Sequence, residues 1–366
     1  MIREQSGEEV RVELGPRSYP VVVAAGVLAE SGPRLAAAGF GGRCALVTSE
    51  RVGALYREPV LASLRAAGFA PAVIEIPDGE EHKNLAWLAV LYDRLLEAGI
   101  ERHSPLVALG GGVVTDLAGF AAATLLRGLP SVLLPTTLLG QIDAAIGGKT
   151  GVNHVLGKNL IGAFHQPRLV LADVDTLRTL PRRELLAGVA EVIKTAAIGD
   201  AGLFAELEER LERVIGLERE VIVAVVAACV RYKARVVAED EREVHGGRAV
   251  LNFGHTVGHA VETASGYDLL HGEAVSLGMV AALSLGVSLG VTPPEVRDRA
   301  RTLLARLGLP VDVERRLTPE VLARIDVDKK RRGKAVRFVL VGAPGTCVLR
   351  DIPIDELRGR LDRTGA

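Results

Sequence analysis

The sequence predicts an α/β N-terminal domain on a mostly parallel sheet, followed by a mainly α-helical C-terminal domain. Three observations carry this. The chain has 366 residues, more than one hydrophobic core usually organises. Up to about residue 175, short apolar runs alternate with amphipathic stretches: CALVTS at 44–49, AVIEI at 72–76, LVAL at 106–109, SVLLPT at 131–136 and LVLADV at 169–174. Helical segments such as Leu85 to Ala98 fit between them. Crossover helices of that length imply parallel pairing and a Rossmann-like sheet with ligands at the strand ends. Beyond Leu180-Pro181 the pattern turns to long helical runs, clearest at Glu184 to Ala197, Glu218 to Ala238, Thr256 to Ser265 and Ala274 to Leu289. Only VRFVLV at 336–341 and TCVLR at 346–350 look extended there, as one hairpin turning on Gly342, Pro344 and Gly345. The expected domains are 1–177 and 178–366, joined by a short hinge.

Composition narrows the function. Hydrophobic residues make up 48% and charged residues 24%, so the chain folds throughout. A formal net charge of -1 argues against nucleic acid or an anionic membrane as partner. Cys44, Cys229 and Cys347 are far apart and lack metal or redox spacing, so three free thiols in a reducing compartment are expected. The start MIREQSGEEV carries charge where a signal peptide would need an apolar core, so a cytoplasmic location is expected. Ala274 to Pro294 carries no charge, long enough to span a membrane. Its interspersed Ser and Gly, and the polar His271-Gly272-Glu273 before it, favour a buried bundle helix.

Several segments carry chemistry. Gly110-Gly111-Gly112 follows a strand and opens a helix over Val113 to Ala123. Its backbone N–H groups can face a pyrophosphate at a helix N-terminus, although no GxGxxG is present. Asp116 falls in that helix's first turn, and Gly79-Glu80 with Lys83 follows another strand end. Gly147-Gly148-Lys149-Thr150 resembles the tail of a P-loop, but Asp143 stands where the first glycine is required, which excludes an NTPase. Lys149, Asn153, Lys158 and Asn159 instead fall in the glycine-broken GGKTGVNHVLGKN, read as an anion pocket against the alternative of a solvated loop. Glu191, His255, His259 and His271 offer N and O donors suited to zinc or cobalt, with His255 and His259 one helical turn apart. The pair resembles HExxH, yet position 256 is Thr, so the metalloprotease base is missing. Arg127 and Arg248 stand singly in apolar surroundings, where a buried arginine needs an anion or a structural carboxylate. The run KKRRGK at 329–334 reads as a solvated loop or a nucleic-acid patch, the latter disfavoured by net charge.

Taken in order, GGGVVTDLAGFAAA, LLPTTLLGQIDAAIGGKTGVNHVLGKNLIGAFHQP, GVAEVIKTA, NFGHTVGHA and LHGEAVSLGM resemble the 3-dehydroquinate synthase family over residues 75–335. The resemblance implies a homodimer that uses NAD and Zn2+ or Co2+. It makes Glu191, His255 and His271 the metal ligands and moves His259, which spacing had paired with His255, to a supporting position. It sets NAD against Glu80, Lys83, Gly111, Gly112, Val113, Asp116, Thr136, Thr137, Leu139, Thr176 and Thr179, with Asp143, Lys149 and Lys158 adjoining. Asp143, Lys149, Lys158, Asn159, Lys194, Lys233, Arg248, Asn252, His259, His271 and one of Lys329 or Lys330 would surround a sugar phosphate. Of these, Lys149, Asn159, Lys194, Arg248, Asn252 and His259 would be catalytic, and Arg127 would reach the phosphate in the partner subunit's site. Ser49 and Arg51 stand where many members carry acidic or amide residues. The implied reaction converts 3-deoxy-D-arabino-heptulosonate 7-phosphate to 3-dehydroquinate and phosphate in the shikimate pathway. Runners-up are another sugar-phosphate cyclase, a metal-dependent polyol dehydrogenase, and a catalytically silent protein binding NAD and metal.

Overall fold

A computed structural model describes residues 7–266, 268–332, 335–353, 356–357 and 359–360, without the side chains of 326–332. The chain divides into two compact units, Met1–Leu180 with Leu217–Arg242, and Pro181–Gly216 with Glu243–Ala366. A single boundary at 177/178 therefore does not describe the chain. Residues 217–242 return to the first unit.

The first unit is organised by seven strands: β1 (Glu8–Val12), β2 (Tyr19–Ala24), β3 (Arg43–Ser49), β4 (Ala70–Ile76), β5 (Leu106–Gly110), β6 (Ser131–Pro135) and β9 (Leu169–Asp173). Their spatial order is β1-β2-β9-β6-β5-β3-β4. Only β1 pairs antiparallel, in register Glu8 to Val23; the others are parallel. Helices α1 (Ser31–Ala37), α2 (Glu50–Ala66), α3 (Leu85–Glu97) and α4 (Gly112–Thr124) make the connections. The strands β3, β5, β6 and β9 are buried on both faces, as crossover helices require. Leu46, Val107, Leu109, Val132, Leu134 and Leu171 share one core with Leu61 and Leu64 of α2. Strand order reverses between β3 and β5, which opens a crevice at their carboxyl ends. A hairpin of β7 (Lys149–His154) and β8 (Gly157–Phe164) follows β6, where the sequence suggested an irregular segment.

The second unit holds α5 (Arg182–Gly199), α6 (Ala201–Ile215), α8 (His255–Ala264), α9 (His271–Ser288), α10 (Pro294–Arg306), α11 (Pro319–Arg332) and the hairpin of β10 (Ala335–Ala343) and β11 (Thr346–Pro353). The remaining helix, α7 (Arg219–Glu239), packs on β1 and β2 of the first unit. Helix α9 is buried over most of its length, and no described helix is long and apolar enough to cross a membrane. Its glycines explain the small-residue pattern. A Cβ on Gly272 would lie 2.7 Å from Ala187 Cα of α5 and closer still to that residue's carbonyl oxygen. One on Gly278 would meet the backbone of Gly254 and the Gly258 nitrogen of α8, the latter at 2.8 Å. The absent side chains thus let three helices approach at backbone distance. None of the three cysteines forms a disulfide, and Cys44 and Cys229 are buried; burial pushes the Cys44 thiol up to about 11.

Candidate functional site

In the first unit, the expected nucleotide residues gather at the carboxyl ends of the parallel strands. Gly111 is the N-cap of α4 in an extended conformation, and the first bond inside that helix runs from Thr115 N to Gly111 O at 3.1 Å. The N–H groups of Gly112, Val113 and Val114 thus precede the helical ladder and point out of its start. A Cβ on Gly111 would lie 2.9 Å from Thr137 Cγ2, so glycine keeps this turn against the loop after β6. That loop carries Thr136, Thr137 and Leu139, and Thr137 Oγ1 accepts from Gly140 N at 3.0 Å. The buried Thr176 hydroxyl donates to Asp173 O at 2.7 Å. Gln141 ties the region together, donating to Asp173 O at 2.8 Å and to Thr176 Oγ1 at 3.2 Å. The Tyr56 hydroxyl meets Thr179 Oγ1 and donates to Thr176 O at 3.2 Å. Tyr56 and Gln141 escape sequence reasoning because their partners are strand-end carbonyls and hydroxyls remote in the chain.

Asp116 is the fifth residue of α4, just past the first turn in which the sequence placed it, because the helix begins at Gly112 and not at Val113. It serves an ion pair. Lys83 Nζ donates to Asp116 Oδ2 at 2.5 Å, with the two side chains 4% and 17% exposed. Burial raises the Asp116 carboxyl above its usual range, against the opposing pull of Lys83. Lys83 also fixes the hairpin, its carbonyl accepting from Asn153 N at 2.8 Å. Asn153 then donates to Glu80 Oε1 at 2.7 Å, and its own oxygen accepts from Asn159 N at 2.9 Å. Lys149, Lys158 and Asn159 are exposed on this hairpin. Asp143 sits in a π-helical turn, Gly140–Ala144, and forms an ion pair with the buried Lys233 of α7. Ser49 stands at the N-cap position of α2, and Arg51 N donates to Asp78 Oδ2 at 3.1 Å. Arg127 departs from expectation. It is exposed, in a turn where Leu126, Arg127 and Gly128 have φ of 50°, 66° and 121°; three left-handed residues in succession turn the side chain out of the apolar surroundings.

In the second unit, α5, α8 and α9 bring Glu191, His255, His259 and His271 together. The three imidazoles offer ligand atoms within 4.8 Å of one another, and Glu191 Oε1 lies 3.6 Å from His271 Nε2 and 4.0 Å from His255 Nε2. Glu191 Oε2 pairs with Lys194 Nζ at 2.5 Å, and among the described residues Oε1 has no hydrogen bond. A carboxylate 1% exposed is costly in apolar surroundings unless cations surround it; Lys194 supplies one at Oε2, while Oε1 faces the two imidazoles. The donors fit a divalent ion. His255 Nδ1–H donates to Phe253 O at 3.1 Å, which leaves Nε2 as the free lone pair. Burial first, then the Lys194 charge and the neighbouring imidazoles, holds His255 well below the usual imidazole range and so neutral. For His271 burial acts in the same direction, but the bond to Glu262 and the charges of Glu191 and Glu262 together raise it. Arg248 is 1% exposed, and Asn252 ends the same 3-10 segment, Gly247–Asn252, on the surface. Lys329 and Lys330 belong to α11, but their side chains lie outside the described residues.

A nucleotide-type crevice and an imidazole–carboxylate centre in one chain suit polyol dehydrogenation as well as cyclisation. The lysine-bearing hairpin, which a dehydrogenase does not need, narrows the class to sugar-phosphate cyclases. In agreement, the structure is similar to a 2-epi-5-epi-valiolone synthase from Streptomyces hygroscopicus solved with NAD+ and Zn2+ bound, at 31% identity and TM-score 0.84, covering 96% of this chain and 97% of that one. It shares its fold with a 2-deoxy-scyllo-inosose synthase complexed with carbaglucose-6-phosphate, NAD+ and Co2+, at 23% identity and TM-score 0.86, covering 97% and 100%. The 3-dehydroquinate synthase of Geobacter metallireducens is 50% identical over 352 residues, 94% of this chain and 97% of that protein. Models of the N- and C-terminal regions of 3-dehydroquinate synthase match residues 73–187 and 188–331. The chain belongs to the 3-dehydroquinate synthase family.

Proposed function

We propose that this protein is a phosphate-eliminating carbon–oxygen lyase that converts 3-deoxy-D-arabino-heptulosonate 7-phosphate to 3-dehydroquinate and phosphate in the cytoplasm, with NAD and a divalent metal as cofactors. The observation that carries the reading is the convergence of Glu191, His255 and His271, with Glu191 Oε1 facing the Nε2 atoms of both imidazoles, in a member of this family. Glu191, His255 and His271 hold Zn2+ or Co2+, and the start of α4 with Thr136, Thr137, Leu139, Thr176, Thr179, Glu80, Lys83 and Asp116 holds NAD. When bound, NAD supplies reversible hydride exchange at C5 and the metal supplies Lewis acidity toward the substrate hydroxyls.

The protein's own groups do the rest. His259 is the exposed member of the imidazole trio, so it carries protons between the C5 hydroxyl and solvent. Lys194, buried against Glu191, keeps a fixed cation beside the reacting carbons. While C5 is a ketone, the C6 proton passes to the substrate's own phosphate as the C6–C7 double bond forms and the C7–O bond breaks, and the charge developing on the departing phosphate is met by Lys149 and Lys158 of the hairpin in one subunit and by Arg127 of the partner from outside. Asp143, Lys233, Asn159, Arg248, Asn252 and a lysine at 329 or 330 hold one conformer, so that ring opening and the internal aldol addition close the carbocycle without a dedicated catalyst. The assay follows phosphate release from the heptulosonate phosphate alongside absorbance of NADH. Phosphate should form without net NADH. Stoichiometric growth of NADH would make the protein a polyol dehydrogenase instead.

A further inference from the structure

Helix α8 presents a third functional side chain on the face that carries its two histidines. His255, His259 and Glu262 are spaced four and three apart, which aligns them along one stripe. Glu262 is 6% exposed, and a carboxylate so buried requires partners. One of them is His271, whose Nδ1–H donates to Glu262 Oε2 at 3.3 Å. That bond decides which nitrogen faces the centre. With the proton on Nδ1, the Nε2 lone pair of His271 is directed to the side where Glu191 Oε1 lies 3.6 Å away. The backbone carbonyl of Phe253 does the same for His255. The two imidazoles thus have unlike supports, one a neutral carbonyl in the chain itself and the other an acidic side chain.

We infer that Glu262 is a positioning residue for the metal, a carboxylate that fixes the tautomer and ring orientation of His271 and raises its strength as a donor. This rests on the metal centre proposed above. A carboxylate is the stronger acceptor of the two supports, so His271, which opens α9 and is the more exposed of the pair with a side chain 29% exposed against 12% for His255, receives the stronger hold.

The test is Co2+ affinity of the full chain after chelation, measured in competition with a chromophoric chelator, together with the visible spectrum of the bound ion and melting of the metal-free protein. Glu262→Ala should weaken Co2+ about 10- to 100-fold, with metal-free melting close to that of the unaltered chain. Glu262→Gln keeps an acceptor without the charge, and since neutral hydrogen bonds have roughly half the strength of charge-assisted ones, the loss should be about 3- to 10-fold. Should the alanine variant not fold, the glutamine variant decides. Affinity equal to that of the unaltered chain in a folded variant overturns the role of Glu262. Failure of the unaltered chain itself to bind Co2+ or Zn2+ overturns the metal centre as well.

Discussion

Replacing Lys83 by Met removes the cation from a pair in which both side chains are largely buried, 4% and 17% exposed, at 2.5 Å. The methionine fills most of the space, so the cost lies in the carboxylate left behind. Breaking one side of a buried ion pair costs about 3 to 5 kcal/mol, because the remaining charge stays desolvated. The loss should depend on pH in a definite sense. Asp116 has its carboxyl pKa raised in the fold, burial outweighing the pull of Lys83, so the folded protein keeps the proton to higher pH than the unfolded chain. Such a group favours folding in acid and loses that contribution as pH rises from the unfolded value, near 3.9, through the folded one. Without Lys83 the carboxyl moves further up. The deficit is therefore larger at neutral pH than in acid and shrinks as the solution is acidified toward about pH 4. The double variant Lys83→Met, Asp116→Leu should recover most of the loss, since an apolar pair of similar volume often replaces a buried ion pair without cost. Trp87, the only tryptophan, lies in α3 of the same unit and meets the His82 ring edge-on at 5.7 Å, so urea unfolding can be read from its fluorescence. A loss below about 1 kcal/mol for Lys83→Met at pH 7, the scale of an exposed pair, would refute the reasoning, as would a deficit that grows on acidification.

Lys158→Ala should slow turnover about 10- to 150-fold, the worth of one charge-assisted hydrogen bond to the departing phosphate, with unfolding unchanged because Lys158 is exposed on its hairpin. Steady-state kinetics beside a melting curve check both halves. Gly272→Ala would drive a methyl into the Ala187 backbone and should destabilise the second unit by about 1 to 3 kcal/mol or more; an unchanged melting temperature would show that α5 and α9 separate freely. On the proposed homodimer with its shared site, Arg127→Ala and Lys194→Ala, each nearly inactive alone, should recover roughly a quarter of normal activity per site when denatured and refolded together, since half the dimers would be mixed and half their sites intact. No recovery, despite mixed dimers seen by mass, would place Arg127 in its own subunit's site.

Much of the fold is legible because its period is local. The runs at 44–49, 106–109 and 131–136 reappear in β3, β5 and β6 within a residue or so, since strands buried on both faces read as continuous apolar stretches. Strand β1 is harder to see. Its sequence EEVRV is mostly charged because it is an edge strand, where charge discourages further pairing. Gly151, Gly157 and Gly162 hide the hairpin of β7 and β8, because they suggest turns although all three belong to the strands, Gly157 opening β8. Among site residues, His255 and His259 announce themselves through helical spacing. Glu262 carries the same signal three residues on, but a lone acidic residue on a helix suggests solvent until its burial is known. The Lys233 pair with Asp143 spans 90 residues, and no local pattern encodes it. Arg127 misleads for a related reason, because apolar neighbours in sequence do not reveal a left-handed turn.

The return of α7 to the first unit sets an order on synthesis. All seven strands of the large sheet have been made once Asp173 emerges, yet the helix that packs on β1 and β2 spans Arg219–Glu239, and α5 and α6 are translated in between. From Asp173 to Glu239 a nascent chain therefore carries an incompletely covered sheet through roughly 65 residues of elongation, about 3 to 13 seconds at ordinary ribosomal speeds of about 5 to 20 residues per second. A fragment ending near residue 180 would keep that uncovered surface permanently. Its apolar strands would then be open to self-association, so the first unit cannot be prepared by a single cut and needs residues 217–242 supplied in cis through a new linker or in trans as a peptide.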